Sequence, residues 1–170
     1  MPDVFNQAKR SDVMSRIRSR GNAATELALV KLFRAHGITG WRRQVQVRIA
    51  ERGAGNRPVR AVKALFRTSR SALRVFSVRP DFVFREVRLA LFVDGCFWHG
   101  CPKHATQPRS NAVFWRKKFA ANQARDRLVN RALRRSGWRV LRIWEHELAR
   151  KNQARLLRRI QRALGWPHEA

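Results

Sequence analysis

The chain has 170 residues and 44% hydrophobic content, enough for one domain with its own core and too few for two comfortable ones. Its 38 Lys and Arg against 11 Asp and Glu give a formal charge of +27, a self-repelling balance that favours a polyanionic partner, nucleic acid first. Two cysteines exclude a disulfide framework, and no signal peptide or apolar run of membrane length is seen, so a soluble cytoplasmic protein is expected. Charge alone does not choose DNA over RNA. Arginine far outnumbers lysine, as bidentate phosphate and guanine contacts prefer, but GC-rich coding enriches arginine equally well.

In chain order, Ser11 is a capable N-cap for a short helix over "SDVMSRIRSR". Asn22 caps a second helix, "NAATELALVKLFRAHG", with a stripe through Leu27, Val30 and Phe33 and a stop at Gly37. "WRRQVQVRI" alternates, which places Val45, Val47 and Ile49 on one face of a strand. Residues 50–78 break the order. Gly53, Gly55 and Pro58 mark a loop, and basic and apolar residues then mix without a period, as in a mobile, positively charged excursion, the alternative being a short helix or an extra hairpin.

"RPDFVF" and "RLALFVDG" read as two strands joined by a turn, the second apolar on both faces from Leu89 to Val93 and so central. Asn111 caps a long helix that ends at Gly137. "WRVLRIWEHEL" alternates again, Trp138, Val140 and Arg142 opposing Arg139, Leu141 and Ile143, and Asn152 starts a final basic helix. This order fits an α/β domain with one mixed central sheet flanked by helices.

The stretch "VDGCFWHGCPKH", residues 93–104, puts two cysteines and two histidines into twelve positions. Zinc takes four such ligands in a tetrahedron, usually from two chain segments. Cys96, Cys101 and His104 form a C-x4-C-x2-H knuckle, and the fourth ligand is either the local His99 or His146 on the strand "RIWEHEL". Four ligands within one nine-residue loop are cramped, so His146 is the better partner. That frees His99, just past a central strand end, where α/β enzymes place reactive groups. Asp81 and Asp94 on neighbouring strands, with one imidazole, suit a hard divalent cation and an activated water.

The segments "MSRIRSRGNAATELAL", "RPDF", "FVDGCFWHGCPKH", "NAVFWRKKFAANQARDR" and "GWRVLRIWEHEL" resemble the very short patch repair (Vsr) endonuclease family. The resemblance implies a restriction-endonuclease-like fold that nicks one strand of double-stranded DNA beside a T:G mismatch, the product of 5-methylcytosine deamination. It implies magnesium held by Asp81 and the backbone carbonyl of Val93, His99 as general base, and Glu26 as an orienter of water or metal ligands. Cys96, Cys101, His104 and His146 match the structural zinc positions. Phe97, Trp98 and Trp115 match aromatics that wedge into the base stack, and Lys118, Asn122, Arg125 and Arg127 are placed to follow phosphates. A single monomeric domain over 1–170 is expected.

Two departures stand out. Asp94 occupies a position where some family members carry a histidine, and the basic segment near 50–78 replaces a short Pro-Gly link into the "RPD" strand. The other readings are a restriction-type nuclease on intact sites and a non-catalytic, zinc-stapled nucleic-acid binder.

Overall fold

The computed structural model describes residues 25–51, 74–106, 108 and 111–166. The helix expected over 11–20, the Asn22 cap and the centre of the 50–78 segment lie outside them. In order come α1 (Glu26–Ala35), β1 (Trp41–Arg43), β2 (Val47–Glu51), β3 (Arg74–Val78), β4 (Phe82–Phe84) and β5 (Leu89–Asp94). Then follow α2 (Ala112–Arg135), β6 (Arg139–Trp144), two 3-10 turns (Glu145–Leu148 and Arg150–Asn152) and α3 (Gln153–Leu164). The chain divides into two compact units.

The first unit holds α1, residues 93–106, the first half of α2 up to Gln123, and the segment Trp144–Leu156. Leu29 and Phe33, four residues apart, are fully buried on α1, with Glu26, Val30 and Leu32 beside them. Val30 and Phe33 join the core as expected, whereas Leu27 is only half-buried. Steps of three residues drift around a helix of 3.6 residues per turn, so Leu29 rather than Leu27 holds the centre of the face. Gly37 ends the helix at φ 63°, and the Ile38 N–H donates to the Phe33 carbonyl at 2.9 Å, a Schellman closure.

The second unit holds both sheets, the rest of α2 and the end of α3. One mixed sheet has the order β1-β4-β5-β6, with β1–β4 and β4–β5 antiparallel; the other is an antiparallel β2–β3 pair. The run expected as a single strand, 41–49, is two strands in two sheets. Gln44 stands between them at φ 53°, its N–H donating to the Asp81 carbonyl at 3.1 Å and its amide to Asp81 Oδ1 at 3.4 Å. The alternation still reads correctly, since Val47 and Ile49 are buried and Val45 packs against them. The strands that enter and leave the basic segment therefore pair antiparallel, Val47 facing Val78 and Ala50 facing Val75.

Val47, Ile49 and Val78 share one apolar cluster with Val83, Ala90 and the α2 residues Val129, Ala132 and Leu133. The half-buried Arg142 is held in this unit by Asp126 at 3.0 Å, by Asn130 and by the ring of Phe92. Asn111 precedes α2 at φ 58°, left-handed rather than the extended backbone of an N-cap, so the expected cap does not form. Leu133, fully buried where helix, hairpin and sheet meet, tests this core. Leu133→Ala is expected to cost about 3 kcal/mol in urea unfolding; a loss under about 1 kcal/mol would show that the cluster is not a shared core.

Candidate functional site

The loop after β5 is wound from tight turns. The Cys101 N–H donates to the Cys96 carbonyl at 2.9 Å, His99 to Gly95 at 3.2 Å, and Ala105 to Cys101 at 2.9 Å. The first of these bonds closes a ring that brings the two sulfur-bearing residues together. Gly100 sits at φ 65°, a backbone that strains any L side chain, and a Cβ there would also push aside the Gln123 amide 2.6 Å away.

Cys96, Cys101, His104 and His146 form one cluster whose ligand atoms all lie within 4.8 Å of one another. Cys96 Sγ is 3.2 Å and Cys101 Sγ 3.6 Å from His146 Nδ1, and Cys101 Sγ is 3.8 Å from His104 Nδ1. Bonds of about 2.3 Å to sulfur and about 2.0 Å to nitrogen give tetrahedral sulfur–nitrogen edges of about 3.5 Å. The observed separations bracket that value, so the four residues fit one thiophilic ion. His99 is not among them.

His146 lies in the 3-10 turn Glu145–Leu148, not on the strand where it was expected, because β6 stops at Trp144. The stop has a local cause. Glu147 reaches back to accept the Trp144 N–H at 2.8 Å, the acidic half of a capping box. A tryptophan in the cap position hides this signal in the sequence. Glu145 then accepts the Cys96 N–H at 3.3 Å, and Asn152 donates to the His146 carbonyl at 2.8 Å. Neither Glu145 nor Asn152 was anticipated as a support of the cluster.

Burial pushes the Cys96 thiol above its ordinary value, opposed by the His146 backbone bond and reinforced by Cys101 and Glu145. Burial likewise holds the His146 imidazole below its ordinary value, helped by His104 and Lys103 and opposed by Glu147. A cation reverses the first of these effects, because it favours the thiolate that burial disfavours.

Within the same unit, Asp94 is buried at 4% exposure and its Oδ1 lies 3.7 Å from His99 Nδ1, an ion-pair distance once the imidazole takes a proton. Glu26 is also buried, in the first turn of α1. Val93 precedes Asp94 at the end of β5. In the second unit, Asp81 stands half-buried just before β4, bonded to Gln44 as described. Its carboxylate is a hard oxygen donor of the kind divalent cations such as magnesium favour.

Five rings gather on the loop and α2. Phe97 has Trp98, Trp115 and Phe119 at centroid distances of 5.2–5.3 Å, and Phe114 lies 5.4 Å from Trp115. Asn122, placed by sequence among phosphate-following residues, is instead buried, and its amide donates to the Trp98 carbonyl at 2.8 Å. Lys118 in this unit, and Arg125 and Arg127 in the second, are exposed.

The family model for DNA mismatch endonuclease Vsr matches residues 57–106, which span Asp81, Asp94, His99 and three residues of the cluster. The chain is 44% identical over 107 residues to the type II nicking enzyme V.NaeI of Lentzea aerocolonigenes, covering 58% of this chain and 64% of that protein. It is 40% identical over 103 residues to the type II nicking enzyme V.XorIIP of Xanthomonas oryzae pv. oryzae, covering 58% and 76%. To the DNA mismatch endonuclease Vsr of Escherichia coli (strain K12) it is 32% identical over 146 residues, covering 85% and 74%. The chain belongs to the Vsr endonuclease family.

The cluster predicts a measurable metal chemistry. The purified protein should hold about one thiophilic ion per chain. His146→Ala should lose it and His99→Ala should keep it, as read by metal analysis. Because Cys96 is held above its ordinary value, its thiol is protonated at neutral pH, whereas the lowered His146 is already neutral. Reloading the metal-free protein near pH 7 should therefore release protons, and retention should weaken as the pH falls. Retention in His146→Ala with loss in His99→Ala would reassign the fourth ligand.

Proposed function

We propose that the protein is a DNA endonuclease that nicks one strand of duplex DNA beside a T:G mismatch, using magnesium, with zinc as the structural ion of the Cys/His cluster. The family and its nicking relatives support endonuclease chemistry. The observation that carries the reading is that the end of β5 and the short loop after it bear the Asp94–His99 pair and the rings of Phe97 and Trp98 together. A base for hydrolysis and a tool for unstacking bases thus sit within six residues.

In this reading His99 takes a proton from the attacking water, whose oxygen joins phosphorus as the ester oxygen opposite leaves. The imidazolium so formed lies beside the buried Asp94 carboxylate, which stabilises it and holds the ring in place. The family resemblance gives Asp81 and the Val93 carbonyl as the donors that would hold magnesium, which would supply positive charge to the phosphate oxygens. Glu26 orients water or metal ligands. Two thiolates and two imidazoles select zinc over magnesium, so the two ions do not compete for one site. Phe97, Trp98 and Trp115 enter the stack beside the mismatch, where unpairing is least costly. Lys118, Arg125 and Arg127 contact phosphates, and Asn122 acts through Trp98. The working form is a monomeric endonuclease domain over residues 1–170, acting in the cytoplasm.

Asp81→Asn and His99→Ala should fold, retain the cluster metal and bind DNA, yet nick a T:G duplex more slowly by about 100-fold or more in single-turnover assays. Asp94→Asn should fall between these variants and the unmodified protein. Full nicking by Asp81→Asn sinks the catalytic assignment. Binding of T:G duplexes without any cleavage in magnesium favours a non-catalytic binder, and equal cutting of intact C:G duplexes favours a restriction-type nuclease.

The rings make a separate prediction. Trp98→Ala should reduce nicking of mismatched DNA by about tenfold while leaving salt-dependent affinity for ordinary duplex nearly unchanged, because phosphate contacts supply the latter. An equal loss of affinity for both duplexes would make Trp98 a packing residue.

A further inference from the structure

The face that α2 turns toward the loop is a seam of Trp115, Phe119 and Asn122, spaced four and three residues apart. Val113 and Phe114 lie off this seam and are 56% and 50% exposed. They are the large apolar side chains that the first unit leaves to solvent among its described residues. Phe114 is also the most exposed of the five rings, since Phe97, Trp98 and Trp115 are half-buried and Phe119 is buried. One helical turn on, at four-residue spacing, stand Lys117 and Lys118, both exposed.

The buried seam does not use Val113 or Phe114, and their adjoining apolar surface with two cations one turn on has the make-up of a contact surface. A partner that suits adjoining apolar and cationic groups offers a flat, unpaired ring beside a phosphate. A second copy of the chain suits it poorly, because two bodies of +27 repel. We infer that the first turns of α2 form a contact surface for an unstacked nucleobase, with Phe114 as its stacking ring and Lys117 and Lys118 on the adjoining phosphates. This rests on the mismatch reading above and adds to it a ring outside the three that the family resemblance supplies.

The test uses the full chain and T:G duplexes carrying 2-aminopurine next to the mismatch, whose fluorescence rises when that base leaves the stack. The unmodified protein should raise the signal. Phe114→Ala should lose most of the rise and about tenfold of T:G preference, the scale of one ring–base stack. Phe114→Trp should restore both. Phe114→Ala should keep the thermal midpoint and metal content of the DNA-free protein, as a purely structural ring would not. Lys117→Gln with Lys118→Gln should lower the salt slope of duplex binding by about 0.9 for each cation.

A full fluorescence rise in Phe114→Ala overturns the inference, as does a lowered midpoint, which would place the ring against the chain itself. A dimer in the unmodified protein that Phe114→Ala dissociates also overturns it, in favour of a second copy. If the unmodified protein unstacks T:G duplexes but never nicks them, the nuclease reading fails and this one stands. If it nicks while Phe114→Ala behaves identically, only this one fails.

Discussion

The first unit depends on the crowding of two sulfurs and two imidazoles within 4.8 Å. Burial alone makes that arrangement unfavourable, since it pushes Cys96 away from the thiolate that the neighbouring donors would welcome. A single cation of tetrahedral preference would convert it into a staple. What the staple fixes follows from chain order. Phe97, Trp98 and His99 all lie between Cys96 and Cys101, so an ion held there would pin both ends of the segment that bears rings and imidazole. The Asn122 bond to the Trp98 carbonyl and the close passage of Gly100 over Gln123 hold its middle. Such a loop loses little entropy when it meets a substrate, because it is ordered beforehand.

The acidic side chains obey a different economy from the basic ones. With 11 acids against 38 cations, any exposed carboxylate would weaken attraction to a polyanion. Several of the acids are accordingly engaged in structure. Asp126 pairs with Arg142, Glu145 and Glu147 accept backbone N–H groups around the His146 turn, and Asp94 is buried against His99. The cations, by contrast, are largely exposed along α2 and α3.

Much of this was legible in the sequence, and the failures have physical reasons. Residue type and spacing sufficed to name the four residues that come together, Cys96, Cys101, His104 and His146, because thiolate–imidazole chemistry is specific and the alternative with His99 was sterically cramped. Helix stops at Gly37 and Gly137 were legible because a glycine at positive φ closes each of these two helices. The break in 41–49 was not, since Gln44 adopts a left-handed backbone that its residue type does not announce. Nor was the burial of Asn122. On a helix rich in cations its amide looks like a phosphate ligand, and only tertiary packing shows that it serves the Trp98 carbonyl. The Asp94–His99 proximity was half-legible: both residues were singled out, but as separate donors rather than as an ion-pairing couple.

In the proposed mismatch reading, charge and rings divide the work of recognition in a way that salt exposes. Attraction between a +27 chain and a duplex is sequence-independent, falls steeply with ionic strength, and cannot by itself tell T:G from C:G. Rings carry no charge, so whatever discrimination they provide persists as salt rises, and it draws on the lower cost of unstacking a mismatched base. A protein built on both terms binds any duplex weakly and reads it for a base that yields. The ratio of mismatched to matched affinity should then stay nearly constant across a salt series in which both affinities fall. A ratio that collapses with salt would mean that cations, not rings, discriminate, and the stapled loop would then be a scaffold for charge rather than for the wedge.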